Sequence, residues 1–200
     1  MNQQAMVDYA AAGGRVFASH FHYAWFNSGP YGSDNLASWT AGTNDLGDIT
    51  SSIVTTLPGG GPFPKGLALQ QWLTNVNALS GGKLAISQAR HNADVTAANT
   101  KSQAWITADG ASPAPGATEY FTFNTPLGAA PDKQCGRVVF SDLHVGAASG
   151  DYGFGPQIVP SGCAAADLSP QEKALEFMLF DLSSCVVPDD TPPVPPSGVK

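Results

Sequence analysis

The stretch Cys135-Gly136-Arg137-Val138-Val139-Phe140-Ser141-Asp142-Leu143-His144-Val145 decides the fold. Its centre, Val138-Val139-Phe140, is a continuous apolar run. A sheet with one face in water alternates apolar and polar side chains, so an unbroken run marks a strand covered on both faces. Arg137 to Val145 is therefore expected to be a strand between helical layers. Upstream, Glu119 to Asn124 is rich in aromatic and β-branched residues and is a second strand candidate.

Three helices are expected around these strands. Asn2 to Ala12 places Ala5, Met6, Tyr9 and Ala10 on one face and stops at Gly13-Gly14, and Arg15 to Ser19 follows at once as a strand. Phe63-Pro64-Lys65-Gly66 opens a second helix, with Leu69, Trp72, Leu73, Val76 and Leu79 at i, i+3, i+4, i+7 spacing and Gly81-Gly82 as its close; Lys83 to Ser87 is then a short strand. The third starts at a capping box with Pro at the first helical position, Ser169-Pro170-Gln171-Glu172. Leu175, Met178, Leu179 and Leu182 form its inner stripe, and Phe177 and Phe180 widen that stripe toward packing on two sides.

This order predicts an α/β domain with a mostly parallel sheet, helices on both faces and a possible antiparallel addition. A helix feeding straight into a buried strand is the second half of a βαβ unit, so amino-terminal strands are expected to be missing from this chain. Residues 27–62, with Gly, Ser, Asn and Asp throughout, are too long for a plain connector and are expected to be a lid or a structured excursion. The domain is bounded at 1–187. Residues 188–200, beginning Pro188-Asp189-Asp190-Thr191-Pro192-Pro193, have the composition of an extended linker leading to further domains of a longer chain.

Composition sets limits on function. The 200 residues are 42% hydrophobic with 4 Trp and 10 Phe, enough for a core, and only 12% charged, about half the usual share. A net charge of −7 with 9 Lys and Arg argues against nucleic acid or an anionic membrane as partner, since either needs a clustered basic surface. No apolar run approaches the roughly 18 residues of a membrane span. The amino terminus has neither the basic residues nor the apolar stretch of an export signal. Low charge, 22 Gly and 16 Pro nevertheless favour an extracellular or cell-envelope protein; a native start at Met1 would place it in the cytoplasm.

The three cysteines leave an odd one. Cys185, just past the last helix, should lie at the same end of the sheet as Cys135, just before a strand, so a Cys135–Cys185 disulfide is the natural pairing. It would close a loop of about 50 residues, worth roughly 4 kcal/mol on the chain-entropy view. Cys163 falls at the opposite end and would need a partner upstream of Met1. The alternative is three reduced thiols in a cytosolic protein.

Chemistry can be sought where strands end. In Ser19-His20-Phe21-His22 the two histidines are two apart and share a side at strand spacing, and Ser141-Asp142-Leu143-His144 repeats the geometry with a carboxylate and an imidazole. Both groups would lie at carboxyl ends of strands, where open α/β sheets bind ligands. His20, His22, Asp142 and His144 could together hold a divalent metal such as zinc or iron. Alternatively, the imidazoles pair with carbonyls or with Asp142 and tie down strand ends, with no cofactor. Neither a GxSxG elbow nor a nucleotide or zinc-ribbon motif occurs. Asp142 and His144 are the remaining acid–base candidates, Cys163 facing His144 a further pairing, and His91 is expected to be exposed.

The blocks Ala12 to His20, Glu119 to Pro126, Gln134 to Val145 and Leu168 to Val186 resemble the carboxy-terminal part of large exported myxobacterial proteins that often carry a carboxypeptidase-regulatory-like domain upstream. The resemblance covers roughly residues 5 to 187. It implies a class I glutamine-amidotransferase-like, flavodoxin-like fold whose nucleophile turn would precede Met1, with His144 as the match to the family's histidine. The usual Glu two residues after a His-Pro is absent, since Val145-Gly146 follows. Some relatives carry the label tryptophan synthase alpha chain, but such a barrel typically needs ~250 residues and eight strand–helix repeats. The missing nucleophile, the cysteine pattern and the Pro-rich tail favour a non-catalytic binding or structural domain of an exported cell-surface protein. A metal-dependent hydrolase is the alternative, and a degenerate amidase lacking its nucleophile a third.

Overall fold

A computed structural model describes residues 2–143 and 167–193. Its main element is a seven-stranded sheet. The strands are β1 (Arg15–Ser19), β3 (Asp45–Ile53), β4 (Leu79–Ser80), β5 (Lys83–Arg90), β7 (Gln103–Ala108), β8 (Thr118–Thr125) and β9 (Gly136–Ser141), while β2 (Ser38–Trp39) and β6 (Ala93–Asp94) form a small second sheet. The main sheet runs in the order β1-β9-β8-β7-β3-β5-β4. Among the described residues three α-helices accompany it: α1 (Gln3–Ala11), α2 (Pro64–Asn75) and α3 (Pro170–Ser183).

The sheet is mixed, which corrects the expectation of a mostly parallel one. Among the described residues only β1 and β9 pair in parallel, with Val16 opposite Val138 and Ala18 opposite Phe140; the other described neighbours in the sheet are antiparallel. The connections explain this. Parallel neighbours need a crossover of roughly a dozen residues or more. The chain turns back from β4 to β5 through Gly81 and Gly82 alone, both at positive φ, 57° and 78°, as a two-residue hairpin requires. Those glycines close a hairpin and not a helix, as had been expected; α2 already ends at Asn75.

Layering follows the expected plan, with helices on both faces. Along β8 and β9 side chains alternate: Tyr120 and Val139 join one core with Leu69 and Leu73 of α2 and Ala174 and Met178 of α3. Phe121, Phe123, Val138 and Phe140 join the other with Ala10 of α1, Phe26, Tyr31 and Leu36. Burying the Val138-Val139-Phe140 run on both sides removes each of these side chains from water, worth roughly 1.5–3 kcal/mol apiece relative to exposure.

Three elements depart from the sequence pattern. Residues 27–62 are a structured excursion containing β3, which lies inside the sheet between β5 and β7. Its sequence, Asp-Leu-Gly-Asp-Ile-Thr-Ser-Ser-Ile, has few strand formers, and tertiary pairing overrides that propensity. On α3 the buried stripe is Ala174, Met178 and Leu182, whereas Leu179 and Phe180 are 49% and 63% exposed, so the stripe is narrower than its apolar content suggested. At the other end, Asp189 reaches back to the buried Arg137, so the chain past residue 187 contributes to the fold where a linker was expected. Residues 194–200 lie outside the described part.

Candidate functional site

The carboxyl ends of β1 and β9 meet the amino end of β8 at a buried polar centre. β1 stops at Ser19, and residues His20–Trp25 form a 3-10 helix, because the backbone turns through a left-handed conformation at His20, φ 45°. The expected placement of His20 and His22 on one side of a strand therefore does not occur. His20 turns inward, its Nδ1 2.8 Å from Asn92 Oδ1. His22 folds back on the exposed surface, with Nδ1 2.7 Å from Ser19 O and 3.2 Å from Ser19 N. β9 ends at Ser141, short of the expected Val145, and His144 and Cys163 lie outside the described residues.

Asp142 is 1% exposed. The Asn92 N–H donates to its Oδ2 at 2.7 Å, while the Asn92 side chain donates to the carbonyls of Thr40 and Gly42 at 2.7 and 2.9 Å. Asn92 thus ties the Asp142 turn, the loop after β2 and His20 into one network. Burial pushes the Asp142 carboxyl up to about 7, opposed by the Asn92 and Ala93 N–H groups and by the charges of His91 and Arg90.

Beside it stands Glu119 of β8, 0% exposed, whose main-chain carbonyl accepts from the Asp142 N–H at 2.8 Å. Neither Glu119 carboxyl oxygen has a hydrogen-bond partner among the described residues. Burial, helped by the neighbouring Asp142 charge, pushes its carboxyl up to about 9, so Glu119 holds its proton at neutral pH. A carboxylic acid inside the run Thr118-Glu119-Tyr120-Phe121 was the sequence signal for this group, and it passed as ordinary strand composition. Asn92 had no such signal. His91, expected to be exposed, is partly buried, with Nε2 2.9 Å from Asp94 Oδ1.

Of the four expected metal ligands, His144 lies outside the described residues; of the other three, His22 is on the surface, His20 faces Asn92, and Asp142 accepts from the Asn92 N–H through Oδ2. Among the described residues, no group of three or more His, Cys, Asp or Glu is arranged to hold a metal ion. Among the described residues neither carboxyl group of this centre opens to solvent.

The opposite end of the sheet carries a second polar centre. Arg137, 1% exposed, stands 2.9 Å from Asp181 of α3 through Nε and Oδ2, an ion pair whose N–H does not line up as a hydrogen bond. Lys65 of α2 donates to the other Asp181 oxygen at 2.8 Å, and Arg137 also donates to Asn124 Oδ1 and Thr122 Oγ1. Its guanidinium lies 5.6 Å from the centre of the Trp105 ring. Burial, then the Arg137 charge, hold the Lys65 ammonium below its usual range against the pull of Asp181. A cavity of about 550 Å³ opens beside this cluster, reached by Asn124 and Asp189.

Cys135 and Cys185 sit at that end too, as expected, both as free thiols on the surface. One side chain spans their neighbourhood: Arg15 NH1 donates to Cys135 O at 2.6 Å and NH2 to Ser184 O at 3.1 Å.

The fold and its two polar centres define a mixed α/β domain with helices on both faces. No protein-family model, no curated protein and no solved structure matches the chain. Among the described residues no helix is long and apolar enough to cross a membrane.

Proposed function

We propose that the chain is a binding or structural α/β domain of an exported cell-surface protein, and not a catalyst. The observation that carries this reading is the engagement of the polar groups at the strand ends. His20 and Asp142 are bound to Asn92, His22 to its own turn, and Glu119 is closed off from solvent. The two histidines and Asp142 hold chain segments together and Glu119 is out of reach of solvent, whereas general acid–base or metal chemistry needs such groups within reach of a substrate. The parallel β1/β9 pair, with α1 directly before β1 and helices on both faces, supports a glutamine-amidotransferase-like, flavodoxin-like ancestry for this half of the sheet.

Metal analysis of the full chain after dialysis against zinc tests the reading. A stoichiometry near zero is expected. A stoichiometry near one that is lost in both His20→Ala and Asp142→Asn would overturn it in favour of a metal-dependent hydrolase.

A further inference from the structure

The cavity beside Arg137 is built where five chain segments converge: the loop after β3, the turn before β7, the end of β8, the turn before β9 and the segment after α3. Its volume of about 550 Å³ falls within the range of small-molecule sites. Leu57, Leu127 and Pro188 give it apolar walls, and Asp189 and Asp190 stand among its polar lining.

Gln103 lines it and is 3% exposed. The Gln103 Nε2 donates to backbone carbonyls, Ala104 O at 2.6 Å and Thr56 O at 3.4 Å, while its buried Oε1 has no partner among the described residues. Ser102, 4% exposed, lines the same wall with an unpartnered hydroxyl. A buried acceptor without a donor is destabilising, a penalty that a ligand N–H would relieve.

Asp189 and Asp190 supply negative charge at the same cavity. Asp189 meets Arg137 only at 3.5 Å, and Arg137 is already engaged by Asp181, Asn124 and Thr122. Burial holds the Asp189 carboxyl above its ordinary value, against the pull of the Arg137 and Lys65 charges. The cavity's own cation, Lys101, is taken by Asp34 at 2.6 Å.

We propose that this cavity binds a small organic cation, a primary ammonium or guanidinium on a short aliphatic chain, with Asp189, Asp190 and Gln103 Oε1 as its acceptors and the leucine and proline walls against its methylenes. The proposal rests on the reading of the chain as a binding domain and names the ligand class for it.

Isothermal titration of the full chain with putrescine and agmatine, and with methyl glucoside as a neutral hydroxylated probe, tests it. Saturable binding of at least one cation is expected, weakened at least tenfold in Asp189→Asn and several-fold in Asp190→Asn, with no binding of the glucoside. Asp190 is exposed, so its variant keeps the question open if Asp189→Asn folds poorly. Absence of binding by both cations at 10 mM (roughly −2.7 kcal/mol at the 1 M standard state) overturns the proposal, as does binding that both variants leave unchanged. Either failure leaves the zinc stoichiometry untouched, so the ligand class can fall while the non-catalytic reading stands.

Discussion

Arg137 and Asp181 face each other at 2.9 Å inside the domain, joining the first residues of β9 to the last turn of α3. The Asp181 side chain also holds Lys65 of α2, so a single carboxylate serves two buried cations from a strand and a helix. Removing it would strand both charges, and breaking a buried pair from one side typically costs about 3–5 kcal/mol. Asp181→Ala should lose on the order of that in a urea titration. Lys65→Met should lose much less, because Asp181 and Arg137 remain paired and the methionine fills the vacated volume with apolar atoms.

The Glu119 carboxyl gives the domain a pH dependence of defined sign. Folded, it keeps its proton up to about 9; unfolded, it returns to the ordinary 4.5. Between these values unfolding releases a proton, so raising the pH favours the unfolded chain. This contribution is fully present below about pH 4.5 and is lost as pH rises toward 9. Asp142, raised from 3.8 to about 7, acts in the same direction over its own window. Glu119→Gln removes the larger part. The variant should gain on the wild type by a few kcal/mol at pH 8.5, on the scale of ~1.4 kcal/mol per pKa unit, and by almost nothing at pH 4.5. Paired urea midpoints at the two pH values read the difference; an equal gain at both would exclude titration as its cause.

Gly136 should tolerate no side chain. A Cβ there would fall well inside contact distance of the Ala10 carbonyl oxygen and Thr125 Oγ1, where the end of α1 lies against β8 and β9. Thr125 Oγ1 donates to that same carbonyl at 2.7 Å, so the helix end cannot retreat without breaking a buried bond. Gly136→Ala is expected to cost about 3 kcal/mol, the upper range for overpacking. Gly59→Ala, with nothing within 4 Å of its would-be Cβ, should stay within about 0.5 kcal/mol of wild type in the same thermal melt.

What the sequence disclosed follows from where its information is local. Helix starts were readable because caps are short-range: Ser169 and Glu172 form the capping box expected, and Asn2 accepts from the Ala5 N–H at the start of α1, whereas the Gly81-Gly82 stop expected for α2 is a hairpin turn. The doubly covered strand was readable from Val138-Val139-Phe140. Strand direction was not, because the partner of β8 is fixed by the turn at 126–135 and carries no composition signal. β3 and β7 were invisible for a related reason. Gln103-Ala104-Trp105-Ile106-Thr107-Ala108 is ordinary strand sequence only once Trp105 is known to lie under Phe63, 4.9 Å between ring centres. At the buried polar centre, His20 and Asp142 stood out in the sequence as metal or acid–base candidates, and both bind Asn92. Their linker Asn92 and the ionic partners Lys65 and Asp181 were not, since lone polar residues on an amphipathic pattern look solvent-facing until the fold closes over them.

The Cys135–Cys185 pairing can be settled in the folded protein. Arg15 brings the Cys135 carbonyl and the carbonyl just before Cys185 onto one guanidinium, and both thiols are exposed to reagent. Oxidised glutathione should convert them to a disulfide: each sulfur gives up its proton, two electrons pass to glutathione disulfide, and two glutathione thiols leave. Mass spectrometry should find the linked peptides without denaturant in the reaction. The oxidised protein should then be stabilised by roughly 4 kcal/mol, the value for a loop of about 50 residues, although strain in the native geometry could only lower it. Cys135→Ser should abolish both the cross-link and the gain. If the bond forms only after unfolding, the sulfurs are held apart by the native backbone, and the two residues are surface thiols with no structural pairing.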